Sequence, residues 1–112
     1  MEAEQPGLRI FYARAALREL NEVWEWNAER YGPDHAEEYV AFLRQGIGQL
    51  ALDPLEGREV EGFPELRRVT LARQPRGDGH VVIYEAGEER LDVLHIYHTK
   101  QDIRGRLTKE RI

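Results

Sequence analysis

Hydrophobic residues recur every three or four positions along two stretches in the first half of the chain. This spacing is typical of helices that carry one apolar stripe. We predict one helix over Arg14–Arg30 and a second over Asp34–Leu52. Gly32 and Pro33 lie between them, and this pair favours the end of one helix and the start of another. Because the connection is so short, the two helices are expected to form an antiparallel hairpin.

Shorter apolar runs predict strands on both sides of the hairpin. The most apolar stretch is Arg90–Ile103, and its first part predicts a central strand buried on both faces. Three further runs are rich in β-branched and aromatic residues, and they predict strands at Leu8–Tyr12, Leu66–Leu71 and His80–Glu85. The segment Leu55–Pro64 contains turn-forming residues and is predicted to be a loop. Short turns join the last three strands, so these should pair as an antiparallel meander.

This order of elements predicts an α+β fold. Each helix has a single apolar stripe, so the helical hairpin should pack on one face of the sheet. The residues after the last strand are predicted to be a short basic C-terminal tail. We therefore expect the other face of the sheet to be bare and available to a partner protein, since an antiparallel sheet tolerates one uncovered face.

Two glycines stand inside the second predicted helix. Gly46 and Gly48 should each cost up to about 1 kcal/mol relative to alanine in a helix interior. We interpret them as a sign of close approach to a neighbouring element, or of a helix that depends on tertiary packing.

Length and composition narrow the class of protein. A chain of 112 residues suits one domain over residues 1–112, and this size needs no metal in order to fold. The chain has no cysteine, which excludes disulfides and thiolate metal sites. No apolar run approaches the length of a membrane span, and residues 1–8 lack the apolar core of a signal peptide. We expect a cytoplasmic protein with no cofactor, no bound metal and no membrane contact.

Charge is distributed unevenly along the chain. Residues 1–65 carry 6 basic and 14 acidic side chains, a net charge of −8, whereas residues 66–112 carry 10 basic and 7 acidic side chains, a net charge of +3. Two interpretations remain open. The two parts are differently solvated surfaces, or the second part provides a face for an anionic partner.

Several residues of the second half have side chains suited to RNA cleavage without a metal. That reaction needs a base for the 2′-hydroxyl, a cation for the phosphorane and an acid for the leaving oxygen. The candidate cations are Arg67, Arg68 and Arg73, and the candidate proton carriers are Tyr84, Tyr97 and His98. His98 is favoured because an imidazole titrates near neutral pH. Alternatively, His98 caps the end of its strand and the tyrosines belong to the core, as His95 is expected to do.

The order and spacing of several short motifs resemble the ParE/RelE toxin superfamily of bacterial type II toxin–antitoxin modules. The resemblance covers Leu8–Leu107. It rests on ARAALREL after the first strand, on the Trp24 to Gly32 helix end, on LALDPLEGR, on LRR, on VIY and on the terminal IYHTKQD. It implies a small toxin that a cognate antitoxin from the same operon holds silent.

The superfamily is divided by target. RelE-like members cleave mRNA in the ribosomal A site, and ParE-like members poison DNA gyrase. The long helical hairpin and the acidity of the chain favour the ParE-like branch. An acidic surface is repelled by rRNA phosphates, which argues against docking in the ribosome. A protein of the same fold without toxicity, which only binds its partner, is a third interpretation.

Each branch implies its own residues. In a RelE-like enzyme, the catalytic residues would be His98, Arg68 and Tyr84. In a ParE-like toxin, contacts to the target or the antitoxin are expected from Arg67, Arg73, Tyr97, Lys100 and Arg104. The sequence leaves open whether the protein is an enzyme. The bare sheet face and open strand edges are expected to receive a disordered segment of the antitoxin, giving a hetero-oligomer.

Overall fold

A computed structural model describes residues 7–74 and 77–110, and these residues form one sheet of five strands with three helices. The elements are β1 (Arg9–Tyr12), α1 (Arg14–Tyr31), α2 (Pro33–Leu52), β2 (Arg58–Val60), β3 (Phe63–Leu71), β4 (His80–Ala86), β5 (Arg90–His98) and α3 (Ile103–Glu110). The strands lie in the order β1-β5-β4-β3-β2. The α+β class and the β3-β4-β5 meander are confirmed. Among the described residues, no helix has both the length and the apolar character needed to cross a membrane.

The helical hairpin is confirmed and covers one face of the sheet. Gly32 joins α1 to α2 with a φ of 95°, a conformation that strongly favours glycine, and Pro33 is the first residue of α2. The apolar stripes of both helices pack on inward-facing residues of β4 and β5. This first core comprises Ala16, Leu20, Val23, Leu43, Ile47, Leu50, Val82, Tyr84, Leu91, Val93 and Ile96.

The opposite face of the sheet is also covered, so the prediction of a bare face is wrong. The predicted basic tail is the helix α3, and Gly105 donates a backbone hydrogen bond to Oδ1 of Asp102 in its first turn, at 3.2 Å. Ile103 and Leu107 point from α3 onto the sheet and are 7% and 1% exposed. They close a second core with Val60, Leu66, Val81, Ile83 and Tyr97.

Two further details of the sheet differ from the prediction. The predicted loop contains β2, which pairs antiparallel with β3 through a tight turn at Gly62, where φ is 88°. The middle strand is β4, while β5 lies between β4 and β1. β5 is nonetheless an interior strand because β1 pairs with it in parallel.

The β1–β5 pairing ends early, and this places α1 against the sheet edge. β1 pairs with β5 only from Arg9 opposite Arg90 to Tyr12 opposite Val93. The amide of Ala13 then donates to the carbonyl of Val93 at 2.8 Å, and α1 begins at the next residue. The second half of β5 therefore has α1, and not a strand, along that edge.

Substitution by alanine at the two glycines of α2 is expected to have opposite effects on the free energy of unfolding. A Cβ atom on Gly46 would lie 2.7 Å from a methyl group of Leu71, whereas one on Gly48 would meet no atom within 4 Å. Gly48→Ala should raise the free energy of unfolding by roughly 0.5–1 kcal/mol. Gly46→Ala should lower it, because overpacking typically costs about 1–3 kcal/mol. Urea denaturation of both variants measures this, and equal stabilisation would contradict the close contact.

Candidate functional site

A large cleft lies between the Gly32 end of the hairpin and the C-terminal end of β5. Its volume is about 990 Å³. Aromatic side chains line the helical side, and Trp26 and Tyr31 are 50% and 60% exposed. Imidazoles and charged groups line the sheet side, among them His80, His98 and Arg73. A cleft with an aromatic rim and convergent polar groups is the ordinary form of a binding site.

Two histidines form the sheet side of this cleft. His80 on β4 and His98 on β5 are directly opposed, and their rings meet edge to face with centroids 5.3 Å apart. Nδ1 of His98 accepts a hydrogen bond from the amide of Lys100 at 3.1 Å, so the neutral ring carries its proton on Nε2. Oη of Tyr39 and Nδ1 of His80 share a hydrogen bond of 2.7 Å, which ties α2 to the sheet.

Burial is the main cause of an unusual pKa at His80. It lowers the pKa of His80 from 6.5 to about 4, and the neighbouring His98 contributes in the same direction. The imidazole of His80 is therefore neutral at physiological pH. In that state it is a hydrogen-bonding group and not a cation.

The low pKa of His80 predicts a loss of stability in mild acid. Between pH 6.5 and pH 4 the unfolded chain binds a proton at this position and the folded chain does not. The contribution of His80 to stability is therefore retained above pH 6.5, and it should fall by roughly 2–3 kcal/mol as the pH is lowered from 7 to 4. His80→Gln should remove that part of the slope, whereas the control His35→Gln should leave it. Denaturation at several pH values measures the difference, and parallel curves for wild type and His80→Gln would contradict it.

At the inner end of the cleft, Glu19 of α1 provides hydrogen-bond partners for groups on the edge of β5 that has no neighbouring strand. Its carboxylate accepts the backbone N–H of Ile96 at 2.8 Å, and its Oε2 lies 3.0 Å from Nδ1 of His95. Glu19 and His95 are each 9% exposed. The prediction that His95 is a buried, satisfied residue is confirmed.

Glu19 was missed as an important residue, although its position in the sequence gave a signal. It stands three residues after Ala16 and four before Val23, so helical spacing places it on the apolar stripe of α1. A carboxylate on a buried stripe needs a partner. The partner is 76 residues away on β5, and no local pattern identifies it.

The three residues predicted for RNA cleavage do not converge. His98 pairs with His80 on β4, and His80 pairs with Leu71 on β3. Arg68 lies three residues from Leu71 along β3, which separates it from the level of His98 by about 10 Å at the usual strand rise. Tyr84 lies further still and is fully buried. Its hydroxyl donates to the carbonyl of Pro54 at 2.8 Å and accepts the N–H of Gly57 at 3.0 Å. Burial also raises the pKa of Tyr84, so it is a poor proton carrier and a good anchor for the segment before β2.

The residues predicted to contact a target or antitoxin are dispersed. Arg73 lines the cleft. The exposed Lys100 forms an ion pair of 3.4 Å with Asp78, which also lines the cleft. Arg104 on α3 is 3.6 Å from Glu61, on the other face of the sheet. Arg67 donates internally to the carbonyl of Gly57 at 2.6 Å.

Tyr97, which the sequence predicts to be a contact residue, is buried. It is 1% exposed and its ring stacks on His95 at 4.8 Å between centroids. Little of its side chain is therefore accessible to a partner, although it contributes to the lining of the cleft. It lies in the second core, under α3.

Comparison with known proteins gives consistent matches over almost the whole described chain. Residues 10–103 match the family described as ParE toxin of type II toxin-antitoxin system, parDE. "Toxin ParE1" of Mycobacterium tuberculosis is 29% identical over 97 residues, covering 85% of this chain and 93% of the relative. "Toxin ParE1" of Caulobacter vibrioides is 27% identical over 95 residues, with the same coverage of 85% and 93%. A solved structure titled "Chromosomal ParDE TA system from P. aeruginosa" superposes with a TM-score of 0.69 at 18% identity, covering 83% of this chain and 97% of the other.

Proposed function

Since this chain belongs to the ParE toxin family of type II toxin–antitoxin systems, we propose that it inhibits DNA gyrase and that a cognate antitoxin neutralises it. The observation that carries the proposal is the match to the family from residue 10 to residue 103, which spans β1 to the start of α3. Gyrase acts on DNA inside the cell, so the proposal places the protein in the cytoplasm.

The geometry supports inhibition by binding over RNA cleavage. Cleavage without a metal needs a base, a cation and an acid around one phosphate. Arg68 and Tyr84 lie at other levels of the sheet than His98, and the hydroxyl of Tyr84 is occupied by Pro54 and Gly57. The acidic surface of α1 and α2 also disfavours docking among rRNA phosphates.

We place the antitoxin contact at the exposed aromatic rim of the cleft. Trp26 and Tyr31 form an edge-to-face pair with ring centroids 6.2 Å apart, and the guanidinium of Arg30 lies 4.0 Å from the centre of the Trp26 ring. Large aromatic side chains with an adjacent arginine are the residue types that contribute most at protein interfaces. Arg73 and Arg106 line the same cleft and suit acidic residues of a disordered antitoxin segment.

Substitutions at the two ends of the hairpin test this placement. Trp26→Ser should weaken antitoxin binding by about 10- to 100-fold, since a buried aromatic anchor is worth about 1–3 kcal/mol at an interface. Leu52→Ser is the matched control, because Leu52 is 55% exposed at the opposite end of α2. Titration of the purified toxin with its antitoxin measures both. Equal loss of affinity in the two variants, or loss only in Leu52→Ser, would contradict the proposed contact.

Induced expression in a bacterial host tests the whole proposal. The chain alone should arrest growth and relax a reporter plasmid, and co-expression of the neighbouring antitoxin gene should restore growth and supercoiling. Normal growth would contradict toxicity. Arrest with a normally supercoiled plasmid and cleaved mRNA would favour the ribosome-dependent nuclease. In that case cleavage should be lost in the His98→Ala, Arg68→Ala double variant if the predicted catalytic residues are correct.

A further inference from the structure

We propose a binding site for a divalent transition-metal ion, such as Zn²⁺, formed by Glu19, His95 and Glu110. The ligand atoms of these three side chains all lie within 4.8 Å of one another. They come from α1, β5 and the end of α3, so the site would join the two layers at the open edge of β5. This proposal does not depend on gyrase inhibition, and it departs from the expectation of no bound metal.

Two of the three ligands already have the spacing that a metal requires. Nδ1 of His95 lies 3.0 Å from Oε2 and 3.3 Å from Oε1 of Glu19. A tetrahedral Zn²⁺ with nitrogen and oxygen ligands at about 2.0–2.2 Å separates adjacent ligands by about 3.3 Å. Glu19 is also oriented by the N–H of Ile96, which is the kind of supporting hydrogen bond that metal ligands have. Glu110 is exposed, and its side chain needs to move by only about 1–2 Å to reach the same distance.

The hydroxyl of Tyr97 is the second observation that points to a ligand here. It is buried and has no hydrogen-bond partner among the described residues. The Tyr97 ring is stacked on His95. A buried hydroxyl without a partner is costly, and a metal-bound water or the metal itself would satisfy it.

The chemistry of the ligands selects the class of metal. One imidazole with two carboxylates suits Zn²⁺ and its neighbours, whereas Ca²⁺ and Mg²⁺ prefer oxygen ligands alone. Glu19 and Tyr97 line the large cleft, which gives the ion a route of entry. The guanidinium of Arg106 lies 5.6 Å from the centre of the Tyr97 ring and opposes a cation. The two carboxylates offset that charge.

Calorimetric titration of the full chain with Zn²⁺ after chelator treatment tests the site. Wild type should bind one equivalent, and Glu110→Gln should weaken binding at least 10-fold. Because Glu110 is exposed, that variant should keep the metal-free thermal midpoint. Glu22→Gln is the matched control, since Glu22 is an exposed carboxylate lining the same cleft, and it should bind as wild type does. Arg106→Gln should bind more tightly, because it removes the opposing charge.

Two results would overturn the proposal. The first is no stoichiometric binding by wild type. The second is binding that Glu110→Gln retains in full and that His80→Gln or His98→Gln abolishes, which would place the metal on the cleft histidines. Substitution with Co²⁺ gives an independent readout, since tetrahedral coordination by His95 should produce visible absorption bands in wild type that Glu110→Gln weakens.

Discussion

Glu19→Ala is expected to destabilise the fold by about 3 kcal/mol. The substitution leaves the N–H of Ile96 and Nδ1 of His95 without their common acceptor in a site where Ile96 is 3% exposed and His95 is 9% exposed. Breaking a buried pair by removing one member typically costs about 3–5 kcal/mol, and an unsatisfied buried donor alone costs about 1–3 kcal/mol. Urea denaturation in the presence of a chelator measures the effect without a contribution from bound metal.

Two control variants separate the loss of these hydrogen bonds from the general effect of removing a negative charge. Glu22→Ala removes an exposed carboxylate one turn away in α1 and should change stability by no more than about 0.5 kcal/mol. Glu19→Gln keeps an oxygen that can accept the N–H of Ile96, so its loss should be smaller than that of Glu19→Ala. If Glu19→Ala and Glu22→Ala were equally mild, Glu19 would not stabilise the open edge of β5.

Leu107→Ala is expected to cost about 2–4 kcal/mol. Leu107 is 1% exposed and packs in the second core, between α3 and the sheet. Truncating a buried leucine loses its transfer free energy and leaves a cavity that the surroundings only partly fill. Thermal or urea unfolding reports the loss.

Lys109→Ala is the matched control for Leu107→Ala. Lys109 is an exposed residue of the same helix, so its substitution should change stability by no more than about 0.5 kcal/mol. Similar unfolding of both variants would mean that α3 does not hold the second face of the sheet. That face would then be open to a partner, as the sequence had indicated.

The first half of the fold could be predicted because its signals are local. Helical spacing, Gly32 and Pro33 give the hairpin, and its predicted ends agree with α1 and α2 to within one residue. The meander follows from short turns between apolar runs. The close approach predicted from Gly46 is confirmed, and the neighbouring residue is Leu71. At Gly48 no neighbouring element lies within 4 Å of an added Cβ atom.

The C-terminal helix differs from the predicted tail because the basic side chains of this segment mask its helical spacing. The four-residue interval between Ile103 and Leu107 is helical, and Asp102 is a suitable N-cap. The basic side chains between and after them suggested a solvated tail. A short helix of eight residues gains its stability from packing on the sheet, which sequence spacing alone does not reveal.

The cleft could be predicted only in part, because its residues meet through long-range pairing. Its sheet side depends on β4 and β5 being in the register that opposes His80 to His98. Its inner end depends on β1 stopping at Tyr12, so that α1 and its Glu19 run along the rest of β5. The sequence predicts His98 as a site residue and the structure places it in the lining of the cleft, but its separation from Arg68 and Tyr84 follows from strand register. That register is fixed by the bulge between Ile83 and Tyr84 as well as by the turns.

The most direct test of the proposed function is a supercoiling assay with purified DNA gyrase, ATP and relaxed plasmid. We predict that the toxin alone blocks supercoiling in a concentration-dependent manner and that preincubation with an equimolar amount of its antitoxin restores it. Trp26→Ser should inhibit gyrase but respond less to the antitoxin. Complete supercoiling at a large molar excess of folded toxin would contradict the account.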